Sequence, residues 1–506
     1  MMKKTVWLVL AFCFAGLAAA GGEIKVGWAE RSIAPDFPVN IPGQRYKRVS
    51  EGVLDPLVVT ALALDDGKEA VIFVSGDLLG TAPSWYNDLL AHIAKTHPEL
   101  PAERIVINAT HSHTAIPLGL RKDLLPVYHF FRDRVTEAVA EAWKNRVPAA
   151  LARGTGYARV GSSRRVVYLG PYRPKPGKMP PSSKLVGTAA MYGRTNRPDF
   201  SHLEEGGEPV VHVIYTFDRE GKKLTGAVIN ASCPAHASEN LRLLSGDYWN
   251  DVRAAIRAKH GNIPILTHCG AAGEFSPHEL LNRRERDRRW RIKYGRAPKF
   301  QGEFERREIA EEISRVFDEV LAWAKKDLRT EAPIRFRILA LDLPLRLPTK
   351  EEYLDAKEYV EVTAPTLKPD PALPESEQTR YRQMLDDNVS RYRETMEKYE
   401  KCTGKEVETT EVRVIVLGDA AFVGCNYEYY SAFMHRIQGR SPYVDTMVVQ
   451  LTASRLGSWQ CYLATERAER NRAYGAIPFS NRVDPKGGQM IVDAAVRTLQ
   501  EFHNSR

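Results

Sequence analysis

Short, mostly apolar runs recur along the chain, each closed by small or polar residues: 70–75 (AVIFVS), 104–109 (RIVINA), 210–217, 224–230, 263–267, 412–417 and 447–451. Several are apolar on both faces, the pattern of strands buried beneath helices. Between them the period lengthens. Ile309, Ile313, Val316, Phe317, Val320 and Leu321 recur at three- and four-residue spacing, which predicts an amphipathic helix over 303–326. Residues 490–502 read as a closing helix. Strands alternating with helices predict an α/β fold, a mixed β-sheet core covered by helices.

Three segments depart from this rhythm. Lys3 and Lys4 precede an almost unbroken apolar run over 5–17, and Ala18-Ala19-Ala20 follows. This is the pattern of a Sec-type signal peptide over 1–20, cleaved before Gly21. The run is shorter than the ~20 residues of a membrane span, and no later stretch qualifies, so a secreted or periplasmic protein without a transmembrane segment is expected. Residues 164–207, rich in Pro, Gly and polar side chains, read as a long surface excursion. Residues 350–405 begin as helix, break at Pro365, Pro369, Pro371 and Pro374, and resume as a charged helix from Glu377. They read as an inserted helical arm or lid.

The 506-residue chain is 43% hydrophobic, enough for a substantial core. Its formal charge of +9 includes Lys3 and Lys4 and is mild for this size, and nucleic acid is not expected as a partner of an exported chain. The basic run 283–299 reads as a solvated, salt-bridged face, or as an attractant for an acidic glycan or phospholipid headgroup. Cys233, Cys269, Cys402, Cys425 and Cys461 follow the leader without a CxxC pair. That argues against a disulfide scaffold or a cysteine zinc site and leaves one bridge open.

Chemistry-bearing residues gather where strands end. The run 104–109 leads into Thr110-His111-Ser112-His113-Thr114. Histidines at i and i+2 beyond a strand point to one side, at the edge where α/β proteins commonly bind ligands. From that spacing alone, a hydrogen-bonding pair without metal reads equally well. Asp77, after the run 70–75, suits either a carboxylate that fixes a histidine tautomer or a cap for the next helix. The run 224–230 leads to Cys233-Pro234-Ala235-His236, then Ser245-Gly246-Asp247. The run 263–267 leads into Gly270-Ala271-Ala272-Gly273-Glu274-Phe275-Ser276-Pro277, whose small residues let the backbone approach a ligand. Ser276 has no G-x-S-x-G elbow, so a structural serine before proline is favoured over a nucleophile. His268 and His278 are further candidates, with packing or surface roles favoured for each. Glu428, in Asn426-Tyr427-Glu428, and Tyr462, in Tyr462-Leu463-Ala464-Thr465 with Tyr474 beyond, stand out by nothing in their spacing.

Taken in order, these pieces resemble the neutral (alkaline, non-lysosomal) ceramidase family. Ser32-Ile33-Ala34-Pro35 lies near the family's ITP opening, followed by Gly52-Val53-Leu54-Asp55-Pro56-Leu57. The signature ATHTHSGP is similar to Ala109-Thr110-His111-Ser112-His113-Thr114, and the HP and SGD segments to His236 with Ser245-Gly246-Asp247. The GDVSP turn resembles Gly273 to Pro277, PGE is replaced by Asn426-Tyr427-Glu428, and YVTT with a downstream tyrosine resembles Tyr462 to Thr465 with Tyr474.

The resemblance implies a neutral-ceramidase-like catalytic domain over 21–506, with the helical insertion at 350–405. It implies zinc bound by His111, His236, Glu428 and Tyr462. His113 and Tyr474 would meet the scissile amide or its oxyanion, Ser276 matches a serine discussed as essential, and Arg164 and Asp77 would lie by the substrate. Two imidazoles and a carboxylate form a familiar catalytic zinc shell with room for water, whose pKa zinc lowers toward about 7. The implied activity is hydrolysis of an N-acyl bond in a ceramide-like lipid, with peripheral membrane contact. Glu274 stands where the family has Asp, His236 ends a reordered Pro-Ala-His, and the insertion is charged. These departures keep two alternatives open: a zinc-dependent hydrolase or deacetylase of acidic or amino-sugar glycans, and a non-catalytic zinc-stabilised binding protein.

Overall fold

Side-chain alternation decides which face of each strand turns inward. Along Val58–Asp65, Val59, Ala61 and Ala63 join one apolar cluster, whereas Leu62 and Leu64 join another. Along Ala70–Gly76, Ile72 and Val74 go with the first, and Val71 and Phe73 with the second. The structure is a computed structural model and describes residues 22–172, 180, 185, 187–458 and 461–505. The leader expected over 1–20 lies outside them.

Eight strands form one mixed sheet, in the order Ile265–Cys269, Leu224–Ala231, Val210–Asp218, Val147–Tyr157, Lys25–Ser32, Val58–Asp65, Ala70–Gly76, Ile105–Ala109. Its two parallel pairs lie at its two ends. A second sheet holds Ile334–Pro344, Val407–Leu417, Ala420–Gly424 and Asp445–Val449. Helices Pro83–Thr96 and Leu125–Lys144 cover one outer face, Tyr248–His260 and Glu303–Ala324 another, and Ser431–Arg440 with Pro485–Asn504 the second sheet. The inner faces of both sheets meet in one cluster, where Leu64, Phe73, Ile214 and Val228 pack with Ile415, Phe422 and Met447. The α/β expectation holds, with helices outside and strands within.

Several boundaries differ from the hydropathy reading for local reasons. The strand expected at 263–267 runs Ile265–Cys269, because Pro264 has no N–H to give to a ladder. The one expected at 447–451 runs Asp445–Val449, since Leu451 takes a left-handed φ of 53°. The closing helix starts early, at Pro485, where the Asp484 side chain accepts from the Lys486 amide. Segment 164–207 is more than a surface excursion. Strands Arg165–Tyr168, Ala189–Met191 and Phe200–Leu203 form a small sheet with its own core of Val166, Tyr168, Ala190 and Leu280. The buried Arg165 is held there by Glu204.

The insertion forms helices Lys350–Glu358 and Glu375–Lys401 packed on each other through Ala356, Tyr359 and Tyr392. The basic run carries helix Arg283–Tyr294, with Arg289 2.9 Å from Glu308 and Arg286 3.5 Å from Glu305. It is in this respect a salt-bridged face. Cys233, Cys269, Cys402, Cys425 and Cys461 are unbridged. Among the described residues, no helix is long and apolar enough to cross a membrane.

The two ends of the large sheet meet through side chains. Ser75 Oγ and Asn108 Nδ2 both donate to the Thr267 carbonyl, at 2.5 and 3.3 Å. Beside them Arg253 grips Asp77 with two hydrogen bonds of 2.9 and 2.8 Å, and the Val58 amide donates to the same carboxylate at 3.0 Å. Both partners are buried. Arg253→Met leaves that carboxylate uncompensated and should cost about 3–5 kcal/mol in denaturant unfolding. A loss under about 1 kcal/mol would mean that the pair does not hold the sheet ends together.

A second buried carboxylate ties the sheets to helix Ser431–Arg440. Glu274 Oε1 accepts from the Ser431 amide at 2.9 Å and its hydroxyl at 2.5 Å, while Oε2 has no partner. Burial pushes the Glu274 carboxyl from 4.5 up to about 7, against the Ser431 donors. The folded chain therefore keeps a proton that the unfolded chain releases, and stability falls as pH rises through that window. Unfolding free energies at pH 5 and pH 8 should fall more in the wild type than in Glu274→Gln, by up to about 3 kcal/mol. Parallel losses in the two chains would refute this.

Candidate metal centre

The centre is assembled from loops that leave both ends of the large sheet. After strand Ile105–Ala109 the chain turns at His111, whose φ of 62° is left-handed. That conformation costs a non-glycine residue roughly 1–2 kcal/mol, and such strain clusters at functional sites. His111 Nδ1 lies 2.7 Å from the Leu79 carbonyl. Donation there leaves Nε2 free, 3.3 Å from His113 Nε2 and 3.4 Å from Glu428 Oε2. The turn, and not strand alternation, brings the two imidazoles together.

His236 comes from the opposite end of the sheet. The two loops are laced by backbone: the Ala235 amide donates to the Thr110 carbonyl at 3.1 Å, and the His113 amide to the Ala235 carbonyl at 3.3 Å. The His236 ring is fully buried, and neither ring nitrogen has a hydrogen-bond partner. Its centroid lies 4.9 Å from that of His113 and 6.5 Å from that of His111.

Glu428 and Tyr462 are neighbours by register. Strands Glu428–Tyr429 and Tyr462–Leu463 run parallel, with Glu428 opposite Tyr462, so their side chains leave the same face. Gly273 lets the neighbouring loop pass, since a Cβ there would sit 2.4 Å from the Glu428 carbonyl oxygen. Arg164 Nη2 donates to the Tyr462 hydroxyl and the Gly273 carbonyl, each at 2.9 Å, and lies 3.7 Å from Glu428.

Burial sets the charge states. It holds His111 and His236 well below the usual histidine range, so both rings are neutral and present lone pairs. It also raises Glu428 to about 7, against the pull of Arg164, and lifts the Tyr462 phenol well above its ordinary value.

The remaining candidates fall around this cluster. Tyr474 follows left-handed Arg472 and Ala473, and its ring lies 5.4 Å from that of Tyr462. The guanidinium of Arg391, from the insertion, lies 6.0 Å from the Tyr474 ring centroid. Ser276 is fully buried; its Oγ accepts from the Tyr192 hydroxyl at 3.3 Å and the His278 amide at 3.1 Å. Asp77 is spent on Arg253, and the Leu79 carbonyl, in place of this carboxylate, orients His111.

Two residues were not singled out as ligands by sequence. Among the described residues, His236, Glu239 and His278 form a group whose ligand atoms all lie within 4.8 Å of one another. Glu239 Oε2 is also 3.4 Å from His113 Nδ1. Glu239 sits three residues after His236 in a loop, and that spacing carries no periodic signal. The loop carrying His113 is packed tightly, and a Cβ at Gly43, whose φ is 93°, would meet the His113 ring at 2.7 Å.

No protein-family model and no curated protein sequence matches the chain. Solved structures do. The neutral ceramidase from Pseudomonas aeruginosa superimposes with a TM-score of 0.65 at 15% identity, covering 95% of this chain and 75% of that one. A ceramidase complexed with C2 superimposes with a TM-score of 0.61 at 13% identity, covering 95% and 76%. At these identities the likeness establishes architecture: the chain has the α/β fold of the neutral ceramidases.

Proposed function

We propose that the chain is an exported zinc-dependent amidase that cleaves the N-acyl bond of a ceramide-like lipid, with His111, His236, Glu428 and Tyr462 as the metal ligands. The observation that carries this reading is the approach of side chains from separate chain segments: the His236 ring lies 6.5 Å from that of His111, centroid to centroid. Glu428 and Tyr462 are side by side by strand register, His111 Nε2 faces Glu428 at 3.4 Å, and both nitrogens of the buried His236 lack partners. Neutral imidazoles and a carboxylate suit zinc, and a buried imidazole with no partner is costly unless something fills its place. When bound, zinc supplies Lewis acidity to the amide carbonyl and to a water.

The chain's own residues supply the rest. His113 lies against both His111 and His236 and can give a proton to the leaving amine or a hydrogen bond to the developing oxyanion. The Tyr474 phenol flanks Tyr462 and can serve the same oxygen. Arg164 holds the Tyr462 hydroxyl in place and keeps positive charge beside Glu428. With water as the nucleophile, Ser276 keeps the turn before Pro277 in shape through Tyr192 and the His278 amide. Asp77, paired with Arg253, supports the strand ends from which the loops leave.

A second reading, hydrolysis of an N-acetylated or acidic sugar, draws on the arginine that the insertion sets beside Tyr474. Arg391 of the insertion stacks on Phe479 at 5.1 Å as well as on Tyr474, and Arg45 binds Asp387 at 2.6 Å.

Metal analysis and kinetics separate ligand from acid–base residue. His236→Ala should lose bound zinc together with activity, whereas His113→Ala should keep zinc and lose about 10²–10⁴-fold in kcat. Full metal content and activity in His236→Ala would remove the ligand assignment. Substrate class is decided by short- and long-chain ceramides beside N-acetylated and acidic oligosaccharides, each with and without chelator. Chelator-sensitive fatty-acid release is expected; turnover of sugars alone would transfer the site to the second reading.

A further inference from the structure

Glu239 and His278 are more elaborately built than a surface ion pair requires. His278 Nδ1 lies 3.1 Å from Glu305 Oε2, and its Nε2 points toward Glu239 Oε1 at 3.8 Å. Glu305 in turn has Arg286 3.5 Å away. A histidine that gives one ring N–H to a carboxylate and turns the other nitrogen inward is arranged as metal-binding histidines are. That nitrogen faces the Glu239 carboxylate, and the His278 ring lies 5.8 Å from the His236 ring, centroid to centroid. His236 is fully buried, with two unpartnered nitrogens.

We infer that His236, Glu239 and His278 form a second divalent-cation position beside the proposed one, giving a two-ion centre. Two nitrogens and a carboxylate oxygen are a donor set suited to zinc and its first-row neighbours, and all three donors lie within 4.8 Å of one another. The inference rests on the proposed function only in that His236 is shared. Each position uses one of its nitrogens, and when both are filled the ring's single N–H proton leaves to solvent. The second ion likewise takes the place of any proton that Glu239 and Glu305 hold on the inward nitrogen of His278. Without an ion, Glu239, His278 and Glu305 form a carboxylate–imidazolium–carboxylate ion pair, which is the plain alternative.

Equilibrium dialysis of the full chain against zinc, read by metal analysis, tests the inference without reference to activity. Two ions per chain are expected at saturation. One should remain in Glu239→Gln/His278→Gln, and one in His111→Gln/Glu428→Gln. The wild-type stoichiometry needs no variant to fold: a plateau at one ion, unaffected by Glu239→Gln/His278→Gln, overturns the second position and leaves the proposed function standing. A plateau at one ion that survives His111→Gln/Glu428→Gln but is lost in Glu239→Gln/His278→Gln would uphold this position and sink the ligand set proposed above. Cobalt substitution adds a spectroscopic check, since a two-step rise of d–d absorbance is expected and a single step counts against the inference.

Discussion

The buried pair of Asp77 and Arg253 is the constraint on which the rest of the molecule depends. It lies where the two ends of the eight-stranded sheet approach each other, and each end launches one half of the centre. His111 and His113 follow the strand Ile105–Ala109, beside Asp77, whereas His236 and the loop through Gly273 leave the strands on the Arg253 side. Two charges removed from water tolerate little separation, because a carboxylate left alone there costs several kcal/mol. The pair therefore fixes the spacing of the ends, and the backbone bonds between Thr110, His113 and Ala235 convert that spacing into ring-to-ring geometry.

The surrounding loops are held in conformations that the chain alone would not choose. His111, Tyr192, Asp247, Leu451, Arg472 and Ala473 all have positive φ without being glycine. His111 and Tyr192 bear side chains of the site, and Arg472 and Ala473 immediately precede Tyr474. Such conformations persist where neighbours over-determine them. Asp247, for instance, accepts from the Ala237, Ser238 and Tyr248 amides at 3.1, 2.8 and 2.8 Å. Rigid loops of this kind hold donors at fixed separations before any ligand arrives, which lowers the ordering cost of binding.

The insertion reaches the candidate site through charged side chains. Its long helix is anchored from the site side, by Arg45 on Asp387 and by Arg391 stacked on Tyr474 and Phe479. Arg391 also reaches Asp387 within its own helix at 2.8 Å. The arm is thus joined through one guanidinium to the same tyrosine that flanks Tyr462.

Hydrophobic periodicity alone determined the α/β class, the positions of seven strands in the two main sheets, the amphipathic helix now seen as Glu303–Ala324, and the insertion with its proline break. These follow from local rules: burial on two faces, steps of three and four, and the missing N–H of proline. The histidines at strand ends were legible for the same reason. Glu428 and Tyr462 were not, because their adjacency comes from a two-residue parallel pairing across more than thirty positions, and they entered only through a family resemblance. Asp77 illustrates the limit from the other side: its place at a strand end suggested a histidine partner or a helix cap, but the side chain that meets it is Arg253, far away in sequence. Glu239 left no sequence signal, and His278 stood out only as a candidate for which packing was favoured. Tertiary structure alone decided them, because which carboxylate meets which imidazole depends on how loops from opposite ends of a sheet are brought together, and no periodicity encodes that distance.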